Sequence, residues 1–143
     1  MPFQTEQSGD LEIVFRWLDH TGELELEIEA ATETAVLVDA LAAFAELVGE
    51  DDSVDSAKRT IELDAGDREL LLADWLNELV YLLEVERFVP ERVTALELQG
   101  GKLRATIRGH EGEPRHLVKA VTLHRLELRE QGGTWRGRVV LDV

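Results

Sequence analysis

The fold turns on residues 15–29, Phe15-Arg-Trp-Leu-Asp-His-Thr-Gly-Glu-Leu-Glu-Leu-Glu-Ile-Glu29. From Leu24 onward the alternation is strict. Leu24, Leu26 and Ile28 fall on one side, and Glu25, Glu27 and Glu29 on the other. A period of two belongs to a half-buried strand; on a helix it would smear the apolar residues around the whole surface. Upstream, Leu11 to Leu18 reads as a second strand with Ile13, Phe15 and Trp17 on one face. Asp19-His20-Thr21-Gly22-Glu23 between them is short and polar, a tight connection. Residues 1–10 read as a frayed tail, so a single domain is expected over 11–143.

Downstream the period changes. Thr32 is placed to cap a helix running to about Val48, whose Val36, Leu37, Ala40, Leu41, Phe44 and Leu47 recur at spacings of three and four. Gly49 stops it, and Glu50 to Ser56 is a polar loop. Arg59 to Asp64 is a short strand around Ile61 and Leu63. A second helix starts at Asp67 and runs to about Glu84, with Leu72, Trp75, Leu76, Leu79 and Leu83 inward. Leu71, Val80 and Leu82 widen that face, so this helix is predicted to be the more buried of the two. Pro90 ends the next connection. Val93–Leu98 and Lys102–Arg108 form a hairpin across Gly100-Gly101; Ala120–Arg129 and Thr134–Leu141 form another across Gly132-Gly133. Strands, helix, strand, helix and four strands predict an α+β fold, two helices packed on a mainly antiparallel β-sheet.

The chain has 143 residues, enough to bury a core. Its net charge of −15 argues against wrapping a nucleic-acid backbone and favours a basic protein partner; a salt-adapted or generally acidic proteome gives the same sign. There is no cysteine, which excludes disulfides, thiolate nucleophiles and Cys-based zinc sites. The first ten residues lack the apolar core of a signal peptide, and no apolar run approaches the ~20 residues that cross a bilayer. A cytoplasmic protein with no membrane partner is expected.

Two places could carry chemistry. Glu23, Asp142 and the carboxylate of Val143 offer hard oxygen ligands of the kind that suit Ca²⁺ or Mg²⁺, if the first turn and the last strand meet. The plain alternative is solvated charge. His20 follows Asp19 and could form a proton-transfer pair with it, or bond the turn's backbone. His116, Lys119 and His124 form a modest candidate contact surface. Asp74 and Glu78, four apart on the second helix, read as its solvent face or as a contact for a basic partner. The histidine spacing matches no zinc motif; there is no phosphate loop and no nucleophile elbow.

Four blocks together resemble the archease family: Phe15 to Glu23, similar to an aromatic strand leading into Asp-His-Thr-Ala-Asp; Leu24 to Ala30 followed by Thr32; Leu70-Leu-Leu-Ala-Asp-Trp-Leu-Asn-Glu-Leu-Val-Tyr-Leu82; and Val118 to His124 with a closing hairpin that ends Asp-Val. The resemblance implies an accessory protein, not an enzyme: an activator of the RtcB-type RNA ligase of tRNA splicing and RNA repair. It would promote ligase guanylylation and multiple turnover, and meet RNA only through the ligase. It also implies a divalent-cation site, Ca²⁺ first and Mg²⁺ or Mn²⁺ as alternatives, with Glu23, Asp142 and the main-chain oxygen of Val143 as ligands. Asp19, His20, Lys119 and His124 are then site-adjacent or partner contacts. The sequence departs from the family at Glu23, where Asp is usual, and at Gly22, where Ala is. Two other readings stand beside this one: a small metal-dependent hydrolase using Asp19, His20, Glu23 and Asp142, and an acidic chaperone or scaffold.

Overall fold

The computed structural model describes residues 3–6, 14–20, 22–49 and 57–143. The expected strand start at Leu11–Ile13, Thr21 and the loop Glu50–Ser56 lie outside the described residues. Ten elements follow in order: β1 (Phe3–Glu6), β2 (Val14–His20), β3 (Glu23–Ala30), α1 (Glu33–Val48), β4 (Ala57–Asp64), α2 (Arg68–Val85), β5 (Phe88–Gln99), β6 (Lys102–Glu111), β7 (Ala120–Gln131) and β8 (Thr134–Asp142). Every described strand pair is antiparallel.

The helices begin where the sequence places their caps. The Thr32 hydroxyl accepts from the Ala35 N–H at 3.0 Å, and the Asp67 carboxylate accepts from the Glu69 and Leu70 N–H groups. Gly49 closes α1 through its N–H to the Ala45 carbonyl.

The α+β class, two helices packed on antiparallel sheet, holds, and four details are corrected. First, there are two sheets, not one: a five-stranded sheet ordered β1-β2-β3-β8-β7 and a three-stranded sheet ordered β4-β6-β5. The helical crossover after β3 carries the chain away, and α1 packs against β2, β3 and β8 of one sheet and β5 of the other. Second, this position makes α1 the more buried helix. Only Glu46 of α1 is exposed, whereas α2 leaves Leu70, Asp74, Asn77, Tyr81 and Val85 open along one face. Third, the tail contains β1, which pairs Phe3 with Trp17 and Glu6 with Val14 and so occupies the edge of β2. Fourth, Pro90 lies inside β5, at a bulge between Pro90 and Arg92 that accommodates its missing N–H.

Leu37, Leu41, Phe44, Trp75, Leu76 and Leu79 are fully buried between the layers. The Trp75 indole N–H donates to the Leu37 carbonyl at 2.8 Å, a buried bond that ties α2 to α1. The arrangement also decides where the chain ends meet. The C-terminal strand β8 sits between β3 and β7, next to the strand that follows the first turn.

Candidate cation site at the end of the five-stranded sheet

β2 ends at His20 and β3 begins at Glu23, and these two residues stand opposite each other. Gly22 carries φ +73°, a left-handed conformation that costs glycine nothing, and no atom lies within 4 Å of where its Cβ would be. Sterically the space is open to alanine; the backbone conformation is what favours glycine.

On the far side of β3, Glu23 is paired with Asp142, and Asp142 with Ala120 of β7. Residues directly opposite on antiparallel strands project from the same face. The Val143 N–H donates to the Gly22 carbonyl at 3.3 Å. Gly22 and Val143 thus form the hydrogen-bonded pair, and Glu23 and Asp142 the closer, non-hydrogen-bonded one, with Cβ atoms roughly 4.5–5.5 Å apart. The Lys119 N–H donates to the Asp142 carbonyl at 2.8 Å, which fixes the incoming end of β7.

The register therefore brings His20, Glu23, Asp142 and Val143 to one end of the sheet, with Lys119 beside them. It does not bring Asp19 there: Asp19 is paired with Leu24 and belongs to the other face. That separates Asp19 from the other three members of the hydrolase set. His124 is elsewhere too, exposed in an irregular part of β7. Glu23 and Asp142 are half-buried and Val143 is exposed, so a cation held there could keep several waters. Two opposed carboxylates and a main-chain oxygen suit a hard ion. Among the described residues, no group of three or more His, Asp or Glu side chains is placed to hold a metal. A site here would depend on main-chain oxygen and water for its remaining ligands.

The same outer face holds what sequence reading missed. Ala120–Arg129 is not a continuous pairing partner: Thr122 pairs with Val140 and Glu127 with Arg138, so residues 123–126 oppose Val139 alone. Arg125 adopts φ +60° in this bulge. Its carbonyl accepts from Arg138 Nε at 2.9 Å, and its Nη1 lies 2.8 Å from Glu25 Oε1. Glu25 is only 1 % exposed, although its alternation places it on the polar side of β3. Further down, Arg16 Nε donates to Glu27 at 2.7 Å. Burial pushes the Glu27 carboxyl up, but that bond and the charges of Arg16 and Arg138 outweigh it and hold the group below its ordinary value. No periodicity in the sequence signals the bulge, because Leu-His-Arg-Leu continues an acceptable strand pattern.

Residues 15–143 match the archease protein family. Two archaeal proteins named "Protein archease" align over 139 residues, covering 90% of this chain and 95% of theirs. The one from Pyrobaculum neutrophilum is 30% identical and the one from Methanosarcina barkeri 31%. The solution structure of Methanobacterium thermoautotrophicum protein 1598 superposes with a TM-score of 0.71 at 28% identity, covering 90% of this chain and 98% of that one. A Thermotoga maritima crystal structure, described as an archease and possible chaperone, shares the fold with a TM-score of 0.63 at 21% identity, over 88% of this chain and 94% of that one.

Proposed function

Because the chain belongs to the archease family, we propose that it activates an RtcB-type RNA ligase in tRNA splicing and RNA repair, without chemistry of its own. It would act in the cytoplasm, promoting guanylylation of the ligase and its repeated turnover. The observation that carries the reading is the cross-strand pairing of Glu23 with Asp142, with Val143 hydrogen-bonded to Gly22 beside them. The family resemblance assigns its cation ligands to these three positions.

Glu23 and Asp142 would hold the divalent ion, Ca²⁺ in the first instance, with the Val143 main-chain oxygen. When bound, the ion supplies positive charge that offsets the repulsion between the two carboxylates. The strand ends do the rest. The Gly22–Val143 and Lys119–Asp142 backbone bonds hold both carboxylates at one rim, where a docking partner can reach them. The surrounding negative charge suits approach by a basic RNA-binding enzyme.

The deciding experiment adds trace protein to the ligase and counts turnovers per ligase molecule. Activation at substoichiometric amounts, lost in Asp142→Ala with the fold intact, is the expected result. A second reading, as a chaperone, is favoured by the exposed Leu70, Tyr81 and Val85 along α2. It predicts suppression of ligase aggregation at stoichiometric amounts, insensitive to Asp142→Ala.

A further inference from the structure

α2 packs against α1, β4, β5 and β7 and leaves one face open. Leu70, Asp74, Asn77, Tyr81 and Val85 run along that face, each of them exposed. Steps of three and four residues keep them in one line, about 22 Å long at a rise of about 1.5 Å per residue. Leu70 is 44% exposed, Tyr81 49% and Val85 60%. The line therefore has one apolar residue at its start and an apolar pair, one turn apart, at its end.

Asp74, Glu78 and Glu84 stand between and beside these apolar ends. Asp74 and Glu78 are one turn apart, a like-charge pair that costs a helix stability. Glu84 lies in the last turn of α2, which holds no base, at the negative end of the helix dipole. The chain itself relieves neither penalty. All 15 Lys and Arg residues are among the described residues, and none of them is ion-paired with Asp74, Glu78 or Glu84. Arg68, the one base of α2, lies 4.9 Å over the Trp135 ring, with its Nε 3.7 Å from Glu33. Beyond the other end of the helix, Arg59 is held by Glu86 and Glu111, and Arg87 by Glu113.

We propose that this face of α2 is the docking surface for a basic amphipathic helix of another protein. The partner helix places apolar residues about three turns, or roughly 16 Å, apart. One end meets Leu70 and the other meets Tyr81 with Val85, and Lys or Arg between them lies opposite Asp74 and Glu78. Charge decides the sign of the partner. Nucleic acid or anionic lipid would meet three acids, and a second copy of the chain brings its own net charge of −15. Spacing decides its form, because a straight line of side chains at the helical period is matched by the line of another helix. An exposed tyrosine beside an aliphatic residue is the kind of anchor that carries such contacts. Docking here is independent of ligase activation at the Glu23–Asp142 rim. It also differs from the chaperone reading, which needs only an exposed apolar segment of any order.

The test uses the full chain and a fluorescent synthetic helix of about 18 residues built from Leu, Lys and Ala, with Leu at both ends of one face and Lys between. Its comparison peptide is a scramble of the same composition, and binding is read at about 0.1 M salt. The parent should bind the amphipathic helix at least about tenfold more tightly than the scramble. Tyr81→Ser/Val85→Ser should lose at least about tenfold in affinity. Asp74→Asn/Glu78→Gln/Glu84→Gln should lose about fivefold without a fall in melting temperature. Asp64→Asn/Glu97→Gln/Glu130→Gln, which removes the same charge elsewhere, should stay within about twofold of the parent. If the Tyr81/Val85 variant is unfolded, Val85→Ser alone decides: a loss of about threefold supports the surface and no change removes it. No binding by the parent, equal binding of the scramble, parental binding by either folded α2 variant, or an equal loss in the charge control would each overturn the proposal. A dimer of the parent that Tyr81→Ser/Val85→Ser dissolves would overturn it too, by giving the face to a second copy of the chain.

Discussion

Glu23 and Asp142 stand face to face on adjacent antiparallel strands, 119 positions apart in the chain and one strand apart in the sheet. Two carboxylates in a close cross-strand pair raise each other's free energy, and whatever relieves that repulsion is held in turn. Asp142→Asn should therefore melt at or slightly above the parent temperature in chelator. The parent should gain stability as Ca²⁺ is added and the variant should not. Glu23→Asp should keep more of the Ca²⁺ response than Glu23→Ala. A Ca²⁺-dependent melting shift that survives in Asp142→Asn would dissociate this row from cation binding.

Arg125 is the partner that lets Glu25 lie buried on the outward face. Removing one member of a pair with a buried charge leaves that charge poorly compensated, so Arg125→Ala should cost roughly 2–4 kcal/mol. Glu25→Gln in the same chain should recover a good part of the loss. A double-mutant cycle by urea denaturation measures the coupling, and additivity within about 0.5 kcal/mol would mean the two side chains do not support each other.

Asp39 is buried in α1, and burial pushes its carboxyl up from 3.8 to about 7. The sign follows from which state keeps the proton. Below 3.8 both folded and unfolded chains are protonated there and nothing is lost. Between 3.8 and about 7 the unfolded chain ionises first, so stability drains away as pH rises, and above about 7 the loss is complete. Asp39→Asn should thus be stabilising at pH 8, by roughly 1–3 kcal/mol once the cost of a buried amide is subtracted. The difference should vanish below pH 4. Melting curves of both proteins across this range supply the check; a gain that is constant with pH would assign it to packing.

Charge docking has its own signature. If the acidic surface steers the chain to a basic ligase, activation should fall as salt rises through the range where the Debye length shortens to about 8–10 Å. Turnover counts at increasing salt, with a melting control at each point, measure this. Flat activation over that range would mean that contact area, not charge, sets the affinity.

Much of the fold is legible in the sequence, and the reason is local. Alternation at Leu24–Glu29 and three-four spacing along Leu37, Leu41 and Phe44 are written in consecutive residues, and caps at Thr32 and Asp67 need only the next turn of backbone. The proposed cation ligands came differently, from motif order shared with a family, which named Glu23, Asp142 and Val143 without saying how the strands bring them to one end of the sheet.

What local pattern does not contain is which elements become neighbours. The strand β4 could have extended the first sheet; it pairs with β6 instead. With α1 held against both sheets, the helix whose expected apolar face was the narrower became the more buried. At the bulge of residues 123–126, Arg125 reaches Glu25 two strands away and its carbonyl accepts from Arg138 on the adjacent strand, an arrangement invisible in the alternation of β7 itself. The same holds for the paired carboxylates at the end of the five-stranded sheet. Residues 23 and 142 acquire their repulsion only when antiparallel register sets them opposite each other. Sequence alone determined both helices, most strands and the apolar faces they bury, because propensity and periodicity act over a few residues. Tertiary structure alone decided which side chains face one another, because a side chain's electrostatic partners depend on distance in space, which the register sets.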